Sequence, residues 1–140
     1  MSADAAADGS RPVRRAPQRM LVIDDEEPIL FAAREYFSSL GFEVDCATEL
    51  EEAQALLAHV EYAIVIADLR LTGIYGTEGL AVVRDVRERC PQTRILLLTA
   101  YGSPAVEEEA RRLGVDGFLQ KPKPLPDVAQ IVFGLLGRPA

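Results

Sequence analysis

Five polar residues stand where apolar runs end. Met20-Leu21-Val22-Ile23 stops at Asp24 and Asp25, Tyr62 to Ala67 at Asp68, and Arg94 to Leu98 at Thr99, while Val115 to Leu119 leads through Gln120 to Lys121. Singly, each has an ordinary explanation. An acidic run is usually a solvated face or a helix start, where the backbone dipole favours negative charge. A threonine after a strand is commonly a cap, and a lysine before proline is commonly exposed. Together they have the makings of phosphoryl chemistry. Clustered carboxylates repel one another, and a hard divalent cation with oxygen ligands, Mg²⁺ above all, removes that cost. A carboxylate beside such a cation can attack phosphorus. An ammonium and a hydroxyl would then meet the charge on the transferring oxygens.

That chemistry needs the five residues at one place, and the element pattern supplies it. The run Met20 to Ile23 reads as a first strand. Pro28 opens a helical pattern over Ile29 to Leu40 that Gly41 closes, with proline near the start and glycine just past the end. Phe42 to Ala47 reads as a second strand, and Thr48 with Glu51 as a capping box for a helix to about Ala58. Tyr62 to Ala67 is the third strand; after a loop rich in Gly and Thr, Gly79 to Cys90 is a helix that Pro91 terminates. Arg94 to Leu98 is the fourth strand. Ser103-Pro104 caps a helix to Leu113, with Glu107/Arg111 and Glu108/Arg112 at four-residue spacing on its exposed face. Val115 to Leu119 is a short fifth strand, and Asp127 to Leu136 the last helix. Strands that are apolar throughout are buried on both faces, so this alternation predicts a parallel sheet with helices on both sides and right-handed crossovers. Ligands bind such sheets beyond the carboxyl ends of the strands, the rim where Asp24, Asp25, Asp68, Thr99 and Lys121 collect.

Composition narrows the rest. The 140 residues are 49% hydrophobic and 26% charged, the make-up of one globular domain. Met1 to Gln18 lack any periodicity and read as a disordered tail, residues 19–137 as the domain, and 138–140 as a short C-terminal tail. The net charge is −7, and through Arg19 four arginines stand against Asp4 and Asp8, so the remainder carries −9. Such a body is a poor partner for nucleic acid. Cys46 and Cys90 lack the close spacing of a zinc site or redox pair and read as small buried residues in a reducing compartment. His59, the only histidine, reads as a turn or helix-end residue. No run reaches the roughly 18 apolar residues of a membrane span, and no signal peptide is evident, so a cytoplasmic protein that does not bind membranes is expected.

Four separated segments, Val22-Ile23-Asp24-Asp25-Glu26, Ile66-Ala67-Asp68-Leu69, Leu98-Thr99-Ala100 and Gly117-Phe118-Leu119-Gln120-Lys121-Pro122, make the chain from about Arg19 to Leu136 resemble the receiver domains of two-component response regulators. The resemblance implies a flavodoxin-like, doubly wound sheet of five parallel strands in the order 2-1-3-4-5 with five helices. It further implies that Asp68 is the phosphoacceptor, that Asp25 ligates Mg²⁺ directly with Asp24 assisting through water, and that the backbone carbonyl of Arg70 is a further ligand. Thr99 and Lys121 would contact the phosphoryl group, and the Lys121-Pro122 peptide would be cis. Phe118 matches an aromatic that turns inward as Thr99 moves, although it also suits an ordinary strand position. A histidine kinase or histidine phosphotransfer protein would be the donor, and a homodimer could form through the fourth helix, fifth strand and fifth helix. The domain would catalyse only its own phosphorylation and dephosphorylation.

The chain departs from the family in one loop. Thr72 stands where proline is usual, and Gly73 to Gly79 is about three residues longer than the common Asp-Gly loop. Arg70 and Tyr101 are large residues flanking the expected path of the hydrolytic water, which suggests slow dephosphorylation, with simple exposure on the rim as the alternative. Gly137 to Ala140 are too few for an effector domain, so the chain as it stands reads as a stand-alone receiver or relay, with an output domain beyond it as the alternative. Three other functions compete. An aspartyl-phosphate phosphatase of the haloacid dehalogenase type needs a second Asp two residues after the nucleophile, where Arg70 stands. A flavodoxin-type flavin site needs a hydroxyl- and glycine-rich phosphate loop where Asp24 to Glu27 stand. A receiver-like module that binds partners without being phosphorylated would not need the complete acidic and basic set.

Overall fold

A computed structural model of the chain describes residues 17–69, 78–100 and 102–138. Its elements alternate in the expected order: β1 Arg19–Ile23, α1 Glu27–Ser39, β2 Glu43–Ala47, α2 Leu50–His59, β3 Ile64–Ala67, α3 Glu78–Arg89, β4 Arg94–Thr99, α4 Pro104–Leu113, β5 Gly117–Gln120 and α5 Leu125–Leu136. All strand pairs are parallel, in the order β2-β1-β3-β4-β5. This is the doubly wound, flavodoxin-like arrangement, with β3 at its centre.

The apolar runs are two-sided because alternate residues feed two cores. Leu21, Ile23, Val65, Ala67, Ile95 and Leu97 pack with Ala53 of α2, Val82, Val83 and Val86 of α3, and Ala110 of α4. Met20, Val22, Ile64, Ile66 and Leu96 pack on the other face with Leu30, Ala33 and Phe37 of α1 and Val128, Ala129 and Val132 of α5. At the opposite end of the sheet from the acidic rim, Gln18 accepts a bond from Glu43 N–H and another from Arg138, whose guanidinium also lies over the rings of Phe42 and Phe133. The segment read as a disordered tail otherwise lies, through residue 16, outside the described residues.

Several boundaries move, each for a local reason. Helix α2 starts at Leu50, so its third residue is Glu52 and not Glu51. It is the Glu52 carboxylate that accepts from the Thr48 hydroxyl and amide, at 2.6 and 2.7 Å, and those bonds hold its pKa below the usual carboxylate range. The expected Thr48/Glu51 box is therefore out by one residue. Helix α5 starts at Leu125, two residues early, with Pro124 as its extended N-cap and Pro126 in its first turn, where a missing N–H breaks no helical bond. Strand β3 starts at Ile64, two residues late; Tyr62 before it is buried, its hydroxyl donating to Asp45 at 2.6 Å. Strand β5 begins at Gly117, since the Val115 amide is taken by the end of α4 through Ala110 O. Ser103 caps α4 as expected and Gly114, at φ 106°, ends it. Glu107 pairs with Arg111, whereas no ion pair joins Glu108 to Arg112 among the described residues. His59 is the last residue of α2. Cys46 and Cys90 are free thiols, and both are half-buried where full burial was expected.

Candidate functional site

The sheet places the site by carrying its hydrogen-bond ladder one residue past the strands. Asp24 N–H donates to Ala47 O at 3.1 Å, Asp68 N–H to Ile23 O at 2.9 Å, and Lys121 N–H to Thr99 O at 2.8 Å. Asp24, Asp68 and Lys121 are thus each fixed to the neighbouring strand through their own backbone, at the same edge. Thr99 is the exception to the expected pattern. It is the final residue of β4, in register with Gln120, and fully buried.

Asp68 leaves the central strand between the acidic turn after β1 and the end of β4. One carboxylate oxygen from each of Asp24, Asp25 and Asp68 lies within 4.8 Å of the others. Asp25 is exposed, whereas Asp24 and Asp68 are 4% and 6% exposed. Asp24 Oδ1 accepts from Glu26 N–H at 3.0 Å and its Oδ2 from Lys121 Nζ at 2.5 Å; the same ammonium reaches Asp68 Oδ2 at 3.1 Å. Burial pulls the Lys121 pKa down, but the hydrogen bond and charge of Asp24 and the charge of Asp68 more than reverse this, so the group stays cationic. The Lys121–Pro122 peptide is cis.

Four predicted residues, Asp24, Asp25, Asp68 and Lys121, are therefore brought together, with Thr99 on the adjoining strand end. Phe118 lies half-buried against the core on the α3/α4 side. A methyl group at Gly102 would stand 2.7 and 2.9 Å from two carbons of its ring and 3.5 Å from Thr99 Cγ2. Gly102 was not expected to matter, because a glycine after a strand reads as a turn residue. Arg70, Tyr101 and the loop from Gly73 to Thr77 lie outside the described residues, so the carbonyl ligand and the water path proposed there are not among them.

The profile of the response regulator receiver domain matches residues 20–133. Photosynthetic apparatus regulatory protein RegA of Cereibacter sphaeroides is 32% identical over 123 residues, which are 88% of this chain and 64% of that protein. The chain spans 58 to 64% of the length of the RegA proteins it matches. A receiver domain protein of Methanospirillum hungatei superposes with a TM-score of 0.81 at 21% identity, covering 86% of this chain and 94% of that one. A response regulator of Burkholderia pseudomallei, whose crystals hold a phosphorylated aspartic acid, a calcium ion and citrate, superposes with a TM-score of 0.74 at 30% identity, covering 84% and 66%.

Proposed function

The chain belongs to the response regulator receiver domains of two-component systems, and from that premise we propose that it accepts a phosphoryl group on Asp68 from a phosphohistidine donor. Receiver domains are signalling domains and meet kinases; the donor here would be a histidine kinase or a histidine phosphotransfer protein. The observation that carries the reading is the Lys121 ammonium shared between Asp24 and Asp68, beside three carboxylates within 4.8 Å.

Those carboxylates fit a hard divalent cation, since their charge exceeds that of the one ammonium among them and all their donors are oxygen. Asp25, Asp24 and Asp68, with the carbonyl of Arg70, would hold Mg²⁺, which when bound supplies neutralising charge to the phosphoryl oxygens. The protein's own part is positioning. An Asp68 carboxylate oxygen attacks phosphorus; the new O–P bond forms as the P–N bond breaks and its electron pair returns to the imidazole. The backbone that carries the carboxylate is held for this by the hydrogen bond that Asp68 N–H donates to Ile23 O. Lys121, already 3.1 Å from it, needs little movement to meet an oxygen of the arriving group, and the Thr99 hydroxyl is the second donor. Movement of Thr99 would reach Phe118 and hence the α4, β5 and α5 face, the surface proposed for partners and for a homodimer. The acidic body argues against direct nucleic-acid binding. Among the described residues no helix is long and apolar enough to cross a membrane; a cytoplasmic setting is part of the same proposal.

Incubation with Mg²⁺ and acetyl phosphate, followed by intact-protein mass spectrometry, tests the reading. One phosphoryl adduct is expected on the parent and none on Asp68→Asn. An unmodified parent would favour a receiver-like module that works without phosphorylation.

A further inference from the structure

Gly79 lies in the first turn of α3 and is buried. Its amide donates to Leu69 O at 2.9 Å. A Cβ at this position would stand 2.7 Å from Asp68 O, 2.7 Å from Leu69 Cα and 3.2 Å from Asp68 C. All three are main-chain atoms at the peptide that joins Asp68 to Leu69. Helical backbone at Gly79 is open to any residue, so the glycine serves space and not conformation. The other close glycines differ in kind. Gly102 meets the Phe118 ring, Gly114 the Arg87 side chain, and Gly117 only the Leu96 Cδ1 methyl at 2.7 Å. Among the described residues, Gly79 alone has a missing side chain that lets a helix rest directly on main chain, and that main chain carries Asp68.

We infer that Gly79 is a positioning residue for Asp68, an assignment that rests on the phosphoacceptor reading above. The Asp68 backbone is gripped from both sides. Its N–H is bonded to Ile23 on β1, and its carbonyl is pressed by the start of α3, whose Gly79 amide holds the next carbonyl. The direction in which the carboxylate leaves the rim is thereby set by the helix that follows the loop and is insulated from the loop's own length. This accounts for a receiver whose loop between Leu69 and Glu78 is about three residues longer than usual while its acidic site is complete.

An added methyl must move α3 or the Asp68–Leu69 peptide by several tenths of an ångström, since contacts of 2.7 Å cannot persist and neither neighbour is a mobile side-chain end. Misplacement of reacting groups on the order of 1 Å can cost about 100-fold in rate. Gly79→Ala is therefore expected to be phosphorylated by acetyl phosphate at least about 10-fold more slowly than the parent and to bind Mg²⁺ more weakly by calorimetry. Gly117→Ala, which adds the same atom against a flexible side chain, should stay within about threefold on both measures, as should deletion of residues 74–76. A folded Gly79→Ala protein with parental rate and Mg²⁺ affinity overturns the assignment. So does a Gly117→Ala protein that, at equal loss of thermal stability, is slowed as much. Should Gly79→Ala not fold, the deletion decides: a loss of 10-fold or more there means the loop, and not Gly79, sets Asp68. A parent that takes no phosphoryl group instead refutes the phosphoacceptor reading, and Mg²⁺ affinity of Gly79→Ala then decides the positioning role alone.

Discussion

Replacing Lys121 by methionine removes, among the described residues, the cation that pairs with the two buried carboxylates Asp24 and Asp68, while keeping an apolar stem of similar length. The Lys121, Asp24 and Asp68 side chains are 13%, 5% and 6% exposed, so solvent does little to screen what is left. Oxygens of Asp24 and Asp68 lie within 4.8 Å of each other; at that distance and an effective dielectric constant of about 20, two unit charges repel by about 3.5 kcal/mol. Breaking a buried pair by removing one partner typically costs about 3–5 kcal/mol, which agrees. In the presence of EDTA, Lys121→Met should lose about 3 kcal/mol of unfolding free energy, or roughly 10 °C in Tm for a domain of this size. Excess Mg²⁺ should return much of that, because binding to the folded state adds stability as the logarithm of ligand over Kd. The gain from Mg²⁺ should be larger in the variant than in the parent, where the ammonium already pairs with two of the same carboxylates. Urea unfolding followed by far-UV circular dichroism, in EDTA and in Mg²⁺, reads both numbers. A loss below about 1 kcal/mol in EDTA, or equal Mg²⁺ gains in parent and variant, would refute the account of the cluster as charge-strained.

Arg87 donates to Gly114 O, Thr93 O and Pro91 O and pairs with Asp116 at 2.7 Å. Arg87→Met should cost about 3 kcal/mol in urea unfolding, and combining it with Asp116→Asn should cost less than the sum; a loss under about 1 kcal/mol would show the clamp to be ornamental. The Tyr62 phenol is pushed well above its ordinary pKa by burial and by its bond to Asp45. Its stabilising contribution is complete below the ordinary phenol range and is lost as pH rises through the raised value. Tyr62→Phe should therefore flatten the alkaline fall in stability, and an unchanged pH profile contradicts this. Beryllofluoride should shift amide NMR signals across residues 102 to 136, and Gly102→Ala, by displacing the Phe118 ring, should shrink those shifts; no shift in the parent means the switch face is not coupled to Asp68.

The strands were legible because runs such as Val22-Ile23 and Ile64 to Ala67 must be buried on both faces, and the two cores confirm that alternation residue by residue. The strand order was not in the spacing; it came with the family resemblance. Element ends were read less well where a local bond, and not periodicity, decides them. Glu52 instead of Glu51 reaches Thr48 because α2 begins one residue later than a capping box at Thr48 requires. The site residues could be listed from sequence since each follows a strand, yet their pairing could not. Nothing in the chain says that Lys121 lies closer to Asp24 than to Asp68, or that Gly102 makes room for a ring 16 positions away. Such relations depend on side-chain reach across the rim, which strand ends alone do not specify.

The charge at that rim also bears on how a phosphorylated state would differ. Asp24, Asp25 and Asp68 against Lys121 leave a formal −2, the charge of one divalent cation short of neutral. Esterifying Asp68 exchanges its −1 for a phosphoryl group of about −1.5 to −2, so the local charge changes by no more than about one unit. A change that small, beside a cation, is a weak lever on a helix face at the far side of β5. The acceptor oxygens, by contrast, would move outward from the carboxylate by a whole phosphoryl group, and among the described residues Lys121 and Thr99 would be the donors to follow them. Lys121 is tied through its amide to the Thr99 carbonyl, and a Cβ at Gly102 would meet both the Phe118 ring and the Thr99 methyl. Displacement of Thr99 toward a new acceptor, and not the added charge, is what the packing can transmit. Thr99→Val, nearly equal in volume but without the hydroxyl, should therefore accept the phosphoryl group and fail to shift the α4 to α5 amides, whereas a charge-driven switch would leave those shifts intact.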